Sequence, residues 1–69
     1  MIYRLMVKDA KGIYRPVEGM NTATKQPVFV TNVINGLCFW NISSDEKTAI
    51  ENRIKAAYPN IEFELRKTL

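Results

Sequence analysis

Few residues in this chain are equipped for chemistry, and their types narrow what it can do. There are seven carboxylates (Asp9, Glu18, Asp45, Glu46, Glu51, Glu62 and Glu64), one cysteine and no histidine. General acid–base work near neutral pH draws on histidine, or on carboxylates whose pKa values are driven apart by burial. Glu62 and Glu64 are the best placed to share one side of an extended strand, roughly 6.6 Å apart. They alternate with Ile61, Phe63 and Leu65, which is the pattern of a solvated strand face. Cys38 stands in Leu37-Cys38-Phe39-Trp40 with no histidine to activate it, so a core thiol is expected there and not a nucleophile. Gly12, Gly19 and Gly36 are each accounted for by turns, and they build no phosphate loop, dinucleotide fingerprint or metal spacing. No catalytic residue, cofactor, metal or small-molecule ligand is expected, and the chain reads as a non-enzyme.

Charge carries more information. The net charge of +3 is concentrated in residues 1–27, where Arg4, Lys8, Lys11, Arg15 and Lys25 face only Asp9 and Glu18. Residues 28–44 hold no charge, and residues 45–69 are balanced. The five cations are candidates for phosphate contact, which would be salt-sensitive. The simpler reading is that they keep a sheet soluble and blunt an edge strand. The uncharged stretch points either to a protein partner through Val30, Asn32, Ile34, Leu37, Phe39 and Asn41 or to the first hairpin folding back over those residues as a small second layer.

The elements that must position these residues follow from periodicity. Tyr3, Leu5 and Val7 alternate with Arg4, Met6 and Lys8, and Ile13 to Glu18 forms a return strand after an Asp9-Ala10-Lys11-Gly12 turn. Counting back from a four-residue turn pairs Met6 with Arg15 and Lys8 with Ile13. Arg4, Met6, Lys8, Ile13 and Arg15 then share one face, and Tyr3, Leu5, Val7 and Tyr14 the other. Pro16 has no N–H, so it marks an edge or the end of pairing. Gly19 to Pro27 reads as a loop.

Val28 to Ile42 contains Asn35-Gly36, a strong hairpin signal. It pairs Ile34 with Leu37, Val33 with Cys38, Asn32 with Phe39 and Thr31 with Trp40. Phe29, Thr31, Val33, Cys38, Trp40 and Ile42 then form the core-facing side. Ser43 and Glu46 stand at capping-box spacing before a helix that Pro59 stops, with Ile50, Ile54, Ala57 and Tyr58 on its apolar stripe. Ile61, Phe63 and Leu65 form a final strand, whose direction is open.

The 69 residues therefore predict a single small α+β domain over 1–69. Its sheet has four to five mostly antiparallel strands, from two hairpins and a C-terminal strand, packed against one α-helix in the order β-β-β-β-α-β. Tyr3, Leu5, Val7, Trp40, Ile42, Phe63 and Leu65 are expected to meet Ile50, Ile54 and Tyr58 in the core. No stretch is apolar enough for a membrane span, and the start of the chain lacks the pattern of a signal peptide, so a cytoplasmic setting is expected. One helix about 10 Å wide cannot cover such a sheet. The expected function is a non-catalytic protein–protein interaction domain, homodimeric in one form, that binds through exposed sheet. The alternative is a nucleic-acid-binding protein using the basic first hairpin.

Overall fold

The computed structural model describes residues 1–30, 38–39 and 41–67. The chain runs β1 (Tyr3–Lys8), β2 (Tyr14–Asn21), β3 (Gln26–Phe29), β4 (Cys38–Phe39), α1 (Ser44–Ala57) and β5 (Phe63–Lys67). Among the described residues the sheet has five strands and every pairing is antiparallel. β1 is its centre. β5 pairs with β1 from Tyr3 to Val7, so β2, which pairs from Met6 to Lys8, and β4, which pairs at Tyr3 and Arg4, must share the opposite edge of β1. β3 continues the sheet beyond β2. β4 and β5 both run against β1, so they run in the same direction with β1 between them, joined through α1. This settles the direction of the last strand.

The first hairpin forms as expected, but its register differs by one residue. Met6 lies opposite Pro16, Val7 opposite Arg15 and Lys8 opposite Tyr14. The cause is the turn. Asp9 N–H donates to the Ile13 carbonyl at 2.9 Å, and Gly12 N–H donates to the Asp9 carbonyl at 3.0 Å. Asp9 and Ile13 therefore close the loop, leaving Ala10, Lys11 and Gly12 as its three residues. Gly12 takes φ +83°, the left-handed bulge position that a three-residue loop requires. A shift of one residue exchanges the faces of a strand, so Arg15 and Val17 join Tyr3, Leu5 and Val7, while Tyr14 joins Arg4, Met6 and Lys8. Pro16 is the last β2 residue paired with β1, beyond which β4 takes over that edge.

Residues 19–27 are not a loop. β2 runs on to Asn21 and turns back into β3, with Asn21 Oδ1 accepting from the N–H groups of Ala23 (3.0 Å) and Thr24 (3.2 Å). Between Val17 and Gly19 the register shifts, so Glu18 is an extra residue and Val17 and Met20 both pack with the core. A bulge of this kind hides a strand from a period-two reading.

The Asn35-Gly36 turn and the pairs Thr31 with Trp40 and Ile34 with Leu37 lie outside the described residues. Within them, the backbones of Cys38 and Phe39 pair with Arg4 and Tyr3 of β1.

The helix begins where the sequence places it. Ser43 Oγ accepts from Glu46 N–H at 3.2 Å, and Glu46 Oε1 accepts from Ser43 N–H at 3.1 Å. Both bonds of the capping box are present. Among the described residues Leu5, Val7, Val17 and Leu65 form one buried cluster, with Ile50 and Ile54 of α1 and Phe29, Ile61 and Phe63 packed around it, and Met6 and Val30 are buried as well. Ala57, expected on the apolar stripe, is exposed.

Candidate functional site

The sequence-derived interface residues do not form one described surface. Val30 is buried, at 8% exposure. Its N–H donates to the Pro16 carbonyl at 3.2 Å, which ties the end of β3 back to β2 and brings the side chain inside. Val30 therefore belongs to the interior and not to an open face. Asn41 is exposed with φ +49°, and Phe39 is placed by its strand pairing. Asn32, Ile34 and Leu37 lie outside the described residues.

The five candidate cations are also divided. Arg4 and Lys8 project from the side of the sheet opposite Leu5 and Val7, whereas Arg15 sits opposite Val7 on the core side. The Arg15 guanidinium lies 4.8 Å from the centre of the Phe29 ring and 3.9 Å from the Asp9 carboxylate. Lys11 is in the first turn. Lys25 is in the β2–β3 turn, with its ammonium 5.2 Å from the centre of the Tyr58 ring. Lys8 meets Glu62 at 3.4 Å. All five cations are thus spread over two faces and two turns, and Lys8, Arg15 and Lys25 already have an internal contact.

An open groove of about 680 Å³ lies where the first turn, the β2–β3 turn and the end of α1 converge. Val7, Pro27, Phe29, Tyr58 and Ile61 supply its apolar lining, and Asp9, Lys8, Lys25 and Glu62 its charges. Asp9 is already engaged. Its Oδ1 accepts from Ile13 N–H at 3.0 Å and from Lys11 N–H at 2.9 Å. The Ile13 hydrogen bond foremost, then the Lys11 bond and the charges of Arg15 and Lys11, holds its pKa below the ordinary aspartate value despite some desolvation. A carboxylate so held is an ionised turn brace, poorly suited to moving protons near neutral pH.

The second surface is the edge of β5 away from β1, which has no partner strand among the described residues. Lys8 N–H donates to the Glu62 carbonyl at 2.9 Å. Hydrogen-bonded and non-bonded pairs alternate along an antiparallel ladder, so Glu64 and Arg66 direct their backbone groups to β1. Phe63, Leu65 and Lys67 direct theirs outward. Among the described residues β5 pairs only with β1. The other outer strand, β3, is four residues long and contains Pro27, which lacks a donor and blunts an edge.

Glu64 and Arg66 form an ion pair along β5, with Arg66 Nε 3.0 Å from Glu64 Oε1. Their side chains remain 43% and 50% exposed. Across the sheet Arg66 lies directly opposite Arg4, whose Nε is buried without a hydrogen-bond partner among the described residues. Sequence reasoning missed this edge because alternation marks a strand without saying which side of it is paired. The available signal was the change from acid at Glu62 and Glu64 to base at Arg66 and Lys67.

Among the described residues no group of three potential ligands could hold a metal ion, and no helix is long and apolar enough to cross a membrane. Comparison with protein-family models, curated proteins and solved structures found no match.

Proposed function

We propose that the protein is a non-catalytic protein-interaction domain that accepts a polypeptide strand at the open edge of β5. The observation that carries this reading is the row of outward backbone groups on Phe63, Leu65 and Lys67, on a strand paired on one side only among the described residues. Such an edge is a template for strand addition: main-chain hydrogen bonds supply affinity, and alternating side chains supply register. The edge is long enough for three bonded positions and contains no proline. The nucleic-acid alternative has less support, because Arg4 and Lys8 are on the face opposite Arg15, and Lys11 and Lys25 sit in separate turns.

The test is amide hydrogen exchange on the dilute chain, with and without a synthetic peptide covering residues 61–67. The amides of Glu64 and Arg66 should exchange slowly in both samples, since they are bonded to β1. Those of Phe63, Leu65 and Lys67 should exchange fast alone and slow with peptide. Unchanged exchange at these three positions under millimolar peptide would overturn the reading.

A further inference from the structure

The geometry points to a second copy of this chain as the occupant of the β5 edge, paired antiparallel about a two-fold axis at Leu65. This inference rests on the edge reading above and names its partner.

Symmetry and charge select that register. An antiparallel homodimer through one strand is isologous, so every contact occurs twice. Centred on Leu65, the outward groups of Leu65 face those of Leu65 in the other copy, and Phe63 faces Lys67. Each of these residues has its backbone directed outward, so the ladder closes with hydrogen-bonded pairs at all three positions. Glu64 of one copy then falls opposite Arg66 of the other, twice. These are the non-bonded positions, where Cα atoms approach to about 4.5 Å and side chains are closest.

The neighbouring registers are disfavoured. Centring the axis on Glu64 sets Glu64 against Glu64, and centring it on Arg66 sets Arg66 against Arg66. Parallel self-pairing in register would likewise oppose like charges. A strand that is acidic in its first half and basic in its second is complementary to itself only when reversed.

Two further observations fit this occupant. Arg66 already faces Arg4 across β1, a like-charged cross-strand pair that destabilises unless carboxylates surround it. Glu64 of its own strand supplies one carboxylate, and Glu64 of the second copy would supply another. Leu65 faces the core, so placing Leu65 opposite Leu65 keeps the two helices on the same side of the extended sheet.

The test uses sedimentation velocity of the whole chain over a wide concentration range, with folding of each variant checked by circular dichroism. The wild type should form a dimer as concentration rises. Glu64→Arg and Arg66→Glu each turn both cross-pairs repulsive and should weaken the dimer on the order of tenfold or more. Mixing the two variants should restore pairing as a heterodimer, because every cross-pair is then opposite in sign. A wild type that remains monomeric up to millimolar concentration overturns the inference, as does a mixture that forms no heterodimer. If the residue 61–67 peptide protects the edge amides while the whole chain stays monomeric, only self-pairing fails and the edge reading stands.

Discussion

Asp9 shows how one side chain sets the geometry of a hairpin. Its carboxylate takes the N–H groups of Lys11 and Ile13, while its own N–H and carbonyl close the loop onto Ile13 and Gly12. Because these bonds favour the ionised form, led by that from Ile13, the folded pKa lies below that of the unfolded chain. The linked stability is fully present above the ordinary aspartate pKa and is lost as the pH falls through the lower folded value. Asp9→Asn keeps an acceptor oxygen but removes the charge, so its stability should depend less on pH in this acidic range. Urea unfolding of both proteins at a series of acidic pH values checks this, with the difference between the two curves isolating Asp9 from the other carboxylates. The same residue explains why the hairpin faces were not legible from periodicity. Asp9, Gly12 and Ile13 allow both a three- and a four-residue loop, and only the bonds actually formed choose between them.

At the scale of elements, α1 is the part most fully written in local sequence. Ser43 and Glu46 cap it with reciprocal bonds, Asp45 and Glu46 place negative charge in its first turn, and Lys55 places positive charge in its last. These interactions act over four residues and need no distant partner. Ser43→Ala should cost about 1 kcal/mol, lowering the melting temperature by roughly 4–8 °C in a domain this small. A thermal melt followed at a helix-sensitive wavelength measures it. The helix depends on such ends because its described residues include none that is fully buried. Lys47 adds a tether, its ammonium lying 5.4 Å from the centre of the Tyr3 ring. The hairpin of β2 and β3 is the opposite case. Its polar turn around Asn21, Pro27 in its return strand and the bulge at Glu18 each interrupt the alternation by which strands are read, so the sequence alone suggested a loop.

At the scale of the whole molecule, the fully enclosed core among the described residues is a short set of side chains on the central and neighbouring strands. Leu5 is 1% exposed and Val17 is 0% exposed. A domain of this size commonly has only about 3–5 kcal/mol of net stability from its core, and Leu→Ala in a packed interior costs about 2–5 kcal/mol. Leu5→Ala should therefore leave much of the chain unfolded in dilute buffer, a result read directly by circular dichroism and fluorescence. If the second copy binds as inferred, raising the protein concentration should recover part of the folded signal by mass action. Sequence by itself determined the helix and its cap, the first hairpin, the amphipathic final strand and the α+β class, because each is encoded by neighbours within a few residues. Only the tertiary structure decided that Val7 pairs with Arg15, that Val30 turns inward, and that β5 lies antiparallel to β1 with the backbone N–H and C=O groups of Phe63, Leu65 and Lys67 directed away from it. Those outcomes depend on which strands meet and in what register, and a period of two along a strand carries no record of its neighbour.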